Sequence, residues 1–315
     1  PIAFGLHPNS EINFMTARAD ALFRSAAELQ PRGGGGGGGM TLQEKVGRIL
    51  GDILERLPEP FVQAELEDRC DGERTPYTSV FLQECERMSK LLFEIRRSLI
   101  ELEMGLAGDL SISEPMETLM LKLFEDKVPE TWEALAWPSL RPLASWMVNM
   151  LERHRQLDAW VGEMTTPKVT WISGLFNPQA FLTAVMQVTA RKNELPLDKL
   201  AVIADVTKKA SPDEVESATR EGAYAHGFSL EGARWDMNAG TLEEAKMKEM
   251  YPSLPVVLIK ASQQDKLDAR DIYACPVYKT QQRGPTYVFA AGLKTKAPPA
   301  KWVMAGVSML LDVAE

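Results

Sequence analysis

His7, His154 and His226, with Cys70, Cys85 and Cys275, are the protein's whole stock of imidazole and thiol side chains. A zinc site needs such ligands in close pairs, and acyl transfer needs a nucleophile beside a base. No two of the six stand at CxxC or one-turn helical spacing. They give neither a disulfide framework nor a zinc site, and the odd, widely spaced thiols fit a reducing compartment. His154 lies beside an apolar stripe with no second ligand and reads as a core or boundary histidine. Carboxylates are abundant, but Glu65, Glu67 and Asp68, and Glu125 with Asp126, have the spacing of solvated helix faces rather than of an acid and base pair. No catalytic residue and no metal ligand is assigned.

Phosphate chemistry fares no better. The run Gly33 to Gly39 is followed by Met40-Thr41-Leu42, so the lysine and hydroxyl of a phosphate-gripping loop are missing. Seven glycines instead predict a flexible linker with a root-mean-square span of roughly 15 Å. Basic side chains are concentrated late: residues 260 to 301 hold eight against three aspartates, a local excess of +5. Lys279, Arg283, Lys294, Lys296 and Lys301 are therefore the candidate interaction surface toward an acidic partner, the alternative being a solvated face. Tyr278 and Tyr287 beside Lys279 and Arg283 fit a nucleic-acid surface or a hairpin with a Gly284-Pro285 turn. A net charge of −9 over 315 residues argues against nucleic acid. No apolar stretch reaches the ~18 to 20 residues that cross a bilayer, and no basic-then-apolar leader opens the sequence. The sequence thus predicts a soluble protein with no membrane partner, and the opening Pro1 suggests a piece of a longer one.

The elements that would position these groups fall into two regimes. Residues 1 to 165 carry 17 basic against 27 acidic side chains, and residues 166 to 315 carry 18 against 17, which places a boundary near Thr166-Pro167. The first regime reads as helical. Ile12, Met15, Ala19, Leu22, Phe23 and Ala26 form a stripe with Asn9 or Ser10 as cap and Pro31 as stop. Thr41-Leu42-Gln43-Glu44 spells a capping box ahead of Val46, Ile49, Ile53 and Leu57. Phe81, Cys85, Met88, Leu92, Ile95, Leu99 and Leu102 keep one seam over three heptads, fitting a coiled coil or, better at this length, a bundle core. Further helices are expected over 116 to 124 and 139 to 163, with Trp132, Trp137, Trp146 and Trp160 as core.

The second regime reads as strands: Val169 to Ile172, Leu200 to Val206, Ala223 to Leu230, Val256 to Lys260, Tyr273 to Tyr278, Tyr287 to Ala291 and Trp302 to Leu310. Within Ala223 to Leu230, the period of two puts Tyr224, His226, Phe228 and Leu230 on one face and small residues on the other, so His226 is expected to be inward or cross-strand paired. One prominent helix is expected, capped by Asn177 with Pro178 at its first turn, and Thr241 to Glu244 spells a second capping box for a short helix. The fold class is α+β: an N-terminal helical bundle followed by a β-rich, antiparallel, barrel-like domain.

Several long strings carry a resemblance. They are Phe4 to Ile12 (FGLHPNSEI), Leu82 to Met88 running on to Arg96-Arg97-Ser98-Leu99, Gly174 to Ala184 (GLFNPQAFLTA), Glu231 to Asp236, Cys275 to Thr280 (CPVYKT) and Gln282 to Val288. In order and over nearly the whole sequence, they resemble the carboxyl-terminal end of axonemal dynein heavy chains. The glycine run departs from that pattern in a loop that varies in the family.

The resemblance implies that residues 1–110 are a helical segment ending the sixth AAA+ module, with the linker 33–39 inside it. It implies that 111–165 and 166–315 are the helical and β-rich parts of the dynein C-terminal domain. It implies a non-catalytic piece that braces the AAA+ ring and regulates microtubule-based motility in the axoneme of a cilium or flagellum. The implied partners are the rest of the ring and, for the parent protein, microtubules and other dynein subunits. ATP and Mg2+ are implied for modules upstream, and no cofactor for this piece. The alternative is a self-contained interaction module that grips a peptide or a dynein subunit through its β-rich half.

Overall fold

The computed structural model describes residues 5–29, 40–70, 74–263 and 271–313. The glycine linker expected at 33–39 lies outside the described residues. The fold opens with α1 (Asn9–Leu29), α2 (Leu42–Arg56), α3 (Gln63–Arg69) and α4 (Pro76–Ala107). The Thr41 capping box forms as the letters predict: Thr41 Oγ1 accepts from the Glu44 amide at 3.2 Å and Glu44 Oε2 accepts from the Thr41 amide at 2.7 Å. All seven seam residues of α4 have no exposed surface, which at roughly 1.5–3 kcal/mol per large side chain makes this helix the main organiser of the core. The seam faces a bundle, not a second coiled-coil strand. α2 and α3 pack on it, as do α5 (Glu114–Phe124), α6 (Glu130–Glu133) and α7 (Leu143–Glu163). Trp132, Trp137, Trp146 and Trp160 are all buried, with Trp137 stacked on Trp146 at 5.2 Å and Phe81 on Trp160 at 5.1 Å.

The remaining elements are β1 (Val169–Trp171), α8 (Pro178–Asn193), β2 (Leu200–Val206), β3 (Ala223–His226), β4 (Ser229–Glu231), β5 (Ala233–Asp236), β6 (Thr241–Glu244), β7 (Val257–Gln263), β8 (Ile272–Tyr278), β9 (Tyr287–Lys294), α9 (Pro299–Met304) and β10 (Ser308–Leu310). They form a sheet in the order β1-β3-β7-β2, a second in the order β4-β10-β8-β9, and the hairpin β5-β6. The β-rich region is therefore not a closed barrel, and not wholly antiparallel, since β1 with β3 and β10 with β8 run parallel. The prominent helix α8 begins as expected, with the Asn177 side chain accepting from the Ala180 amide. It packs between the first sheet and α4, so one continuous hydrophobic cluster runs from the helical region into the strands.

Four local expectations are corrected. Ala223 to Leu230 is two strands in two sheets, broken at Gly227, whose φ is +96° and where a Cβ would come within 2.3 Å of Ser173 Oγ. Its inward face is reversed over β3 alone: Ala223 and Ala225 are buried while Tyr224 and His226 are half-buried, His226 standing opposite Trp171 of β1, because β3 lies centrally and small side chains suit the close neighbour layer; Phe228 and Leu230 are buried as expected. Thr241 to Glu244 is a strand, because Asp236 Oδ1 accepts from the Asn238 and Ala239 amides and turns β5 back on β6, with Leu242 inward. Trp302 to Leu310 is the helix α9 and then a strand, the helix being started by Pro299 at its first turn.

The first helix holds a different surprise. Asn9 caps no amide of its own helix; its carboxamide reaches the loop after β6, donating to the Lys246 and Glu249 carbonyls at 2.8 and 3.0 Å and accepting from the Lys248 amide at 2.8 Å. Along the apolar stripe of α1, Ile12 and Ala19 are half-buried while Met15 (58%), Leu22 (66%) and Phe23 (75%) are exposed, as is Phe14 on another side of the helix.

Candidate functional site

A buried polar cluster sits at the junction between α4, α7 and the β-rich region. α4 turns Glu84 toward α8, one residue before the buried Cys85 and on the Phe81–Met88 face. The carboxylate is 1% exposed and accepts from the Phe176 amide at 2.5 Å and the Asn177 amide at 3.0 Å. It thereby satisfies main-chain donors just ahead of α8, where the helix dipole also favours a negative charge. Just before these amides the backbone turns tightly against the Trp171 ring, where a Cβ on Gly174 would lie within 2.2 Å.

α7 supplies the opposing charge. Arg153 is 1% exposed and its guanidinium donates to Asn149 Oδ1 at 2.8 Å and to the Leu175 carbonyl at 3.3 Å. It lies 3.9 Å from the Trp137 ring centre and 5.5 Å from that of Trp171, where the ring faces replace lost water. Just after β8, Lys279 Nζ donates to the Phe176 carbonyl at 3.1 Å. Asp312, near the end of the described residues, accepts from Ser139 Oγ at 2.5 Å and Arg141 Nε at 2.7 Å.

The charges in this cluster are balanced against burial. Desolvation pushes the Glu84 carboxyl up, opposed by the two amide hydrogen bonds and the fields of Arg87 and Arg153. Desolvation pulls Arg153 down, opposed by Asp312 and Glu84. It also pulls Lys279 down, opposed by Glu84. Both Glu84 oxygens are committed to main-chain amides, so the group is not free to move a proton to a substrate. What the arrangement does is lock the segment 174–178, the end of β8 and the last described residues onto the helices.

Beside the junction, a cavity of about 320 Å³ is lined by Arg141, Asn149, His226 and Asp312 among others. Burial lowers the pKa of His226 there, and of His154, which stacks on Phe61 at 4.6 Å. Cys70, Cys85 and Cys275 are buried free thiols, and burial pushes Cys85 up to about 12. Among the described residues no group of three His, Cys, Asp or Glu side chains could hold a metal ion, and no helix is long and apolar enough to cross a membrane.

The five basic residues singled out in the sequence do not share one surface. Lys279 is half-buried in the junction. Arg283 turns inward to Glu231 at 2.5 Å and the Gly306 carbonyl at 2.9 Å. Lys301 is exposed and pairs with Glu244 at 2.6 Å. Lys294 and Lys296 are exposed at and just beyond the end of β9. Sequence reasoning missed Glu84, Arg153 and Asp312. The available signal was a charge at a seam position: Glu84 between Phe81 and Met88, and Arg153 between Met150 and Leu157, stand at the three- and four-residue steps of buried neighbours.

A family model that describes the C-terminal domain of the dynein heavy chain matches residues 16–311. The dynein beta chain of the Chlamydomonas reinhardtii flagellar outer arm is 50% identical over 315 residues, covering 99% of this protein and 7% of that one. Human dynein axonemal heavy chain 9 and the ciliary dynein beta chain of Tripneustes gratilla are each 51% identical over the same shares. The sequence spans about 7% of the length of these relatives. The strings that build the junction, around Glu84, Phe176 and Lys279, are among those that carry the likeness, and with a match over 16–311 the protein belongs to the family of C-terminal domains of dynein heavy chains.

Proposed function

We propose that this protein is a non-catalytic brace at the carboxyl end of an axonemal dynein motor, packing on the AAA+ ring and tuning its ATP-driven, microtubule-based movement. The observation that carries the reading is the apolar stripe of α1, anchored at its start by Asn9 and uncovered along Met15, Leu22 and Phe23. An apolar stripe of this kind on an anchored helix marks a surface that another body covers. The buried junction makes the support stiff, because Glu84 and Arg153 tie the helices that follow α1 to the β-rich region. ATP and Mg2+ belong, on this reading, to modules upstream. The relatives' names place them in the flagellar outer arm and in cilia, which supports an axonemal location for this protein and an outer-arm origin over an inner-arm one. The test is to add the purified 315-residue protein to a motor truncated before Pro1. Saturable association that Leu22→Glu with Phe23→Glu abolishes supports the brace. ATP turnover by the 315 residues alone, persisting through repurification, contradicts it.

A further inference from the structure

The Trp137 indole Nε1 and the Thr280 hydroxyl are buried and have no hydrogen-bond partner among the described residues. Buried side-chain donors and acceptors are nearly always paired, so two orphans close to one site call for a cause. Both side chains line a single cavity of about 310 Å³, at the lower end of the ~300–1,000 Å³ range of ligand sites. Trp137 belongs to the segment between α6 and α7, and Thr280 to the turn between β8 and β9, so the cavity lies where the helical region meets the strands. The indole has little freedom to turn elsewhere for a partner, because it stacks on Trp146 at 5.2 Å and carries the Arg153 guanidinium 3.9 Å from its ring centre.

The lining restricts what can enter. An indole N–H only donates, a threonine hydroxyl donates or accepts, and a carbonyl oxygen with two lone pairs can accept from both. Val128, Pro138, Leu140 and Trp146 make the walls apolar. On the exposed side stands Glu133, the one ionisable side chain among the described residues that line the cavity. Its carboxylate repels an anion and accepts from a donor. Lys122, the nearby cation, is already paired with Glu130 at 3.0 Å.

We infer that this cavity binds a small neutral ligand with a primary carboxamide on a compact apolar body, its carbonyl accepting from Trp137 Nε1 and Thr280 Oγ1 and its amide nitrogen donating to Glu133. Held by one residue from each region, the ligand ties the segment ahead of α7 to the turn after β8. The site goes beyond ring bracing and stands or falls independently of it, since no residue of α1 takes part.

The probe is benzamide, titrated into the 315-residue protein carrying isotope-labelled tryptophan, with the Trp137 indole N–H resonance assigned by its loss in Trp137→Phe. A saturable downfield shift of that resonance is expected. Thr280→Val removes a hydroxyl that has no partner, so the melting temperature holds or rises while benzamide affinity falls about fivefold, the worth of one neutral hydrogen bond. Benzoate, alike in shape but negative, binds at least about tenfold more weakly than benzamide, and Glu133→Gln narrows that gap. Absence of a saturable shift at Trp137 overturns the inference. So does toluene binding as tightly as benzamide, or affinity unchanged by Thr280→Val, since either describes an apolar cleft without polar recognition. A melting temperature lowered by Thr280→Val shows that the hydroxyl is already paired and overturns it too. Failure here leaves the association tested with Leu22→Glu and Phe23→Glu untouched.

Discussion

The Glu84 carboxylate holds the Phe176 amide at 2.5 Å across 92 residues of sequence, inside a core where both residues are almost wholly buried. A buried carboxylate of this kind is worth most as part of its network. Glu84→Ala leaves two main-chain amides without their acceptor and removes one of the carboxylate fields that oppose the desolvation of Arg153, and a loss of about 3 kcal/mol or more is expected in urea unfolding. Arg153→Met should cost a similar amount, and the double variant clearly less than the two losses added. Simple additivity would show that the two groups act separately.

The α4 seam gives a sharper contrast. Leu92 is fully buried and Phe93, its neighbour, is 64% exposed. Leu92→Ala should destabilise by about 2–5 kcal/mol and Phe93→Ala by no more than about 0.5 kcal/mol. Equal effects would mean that the face assignment is wrong.

The capping box at the head of α2 makes a local prediction. Thr41→Ala removes the acceptor for the Glu44 amide and should cost about 1 kcal/mol. Amide exchange should quicken in the first turn of α2 while the seam of α4 stays protected. Uniform loss of protection would assign the cap a larger role than its exposure suggests.

Much of this was written in the residues. Helices α2, α4, α7 and α8 follow directly from stripes, caps and prolines, because a helix's period and its end chemistry are local. The β-rich region was harder, since Thr241 to Glu244 carries a helix-start string that the Asp236 turn overrides by pairing it with Ala233 to Asp236. The break at Gly227 depends on Trp171 and Ser173, more than fifty residues earlier, and no window around Ala223 to Leu230 contains them. The junction was hidden for the same reason: the partners of Glu84 and Asp312 are contributed by segments distant in sequence.

Acid should weaken the fold through its histidines. The unfolded imidazole takes a proton near 6.5, whereas burial holds His226 and His154 below that value in the folded protein. Over that interval the unfolded state binds more protons, so stability falls as pH drops from about 6.5 through the folded values. The decline from about pH 7.5 to about pH 5.5, read as the urea midpoint, should be shallower in His154→Gln with His226→Gln than in the parent protein. Parallel declines would assign the acid sensitivity to other groups.

The brace itself is best tested in the intact motor. Introducing Leu22→Glu with Phe23→Glu into the full-length motor alters only side chains that are 66% and 75% exposed here, so the C-terminal region should keep its melting temperature. If α1 packs on the ring and carries coupling of about 1 kcal/mol, the microtubule-stimulated ATPase rate should shift about fivefold. A rate indistinguishable from that of the unaltered motor, with the C-terminal region still folded, would contradict the account.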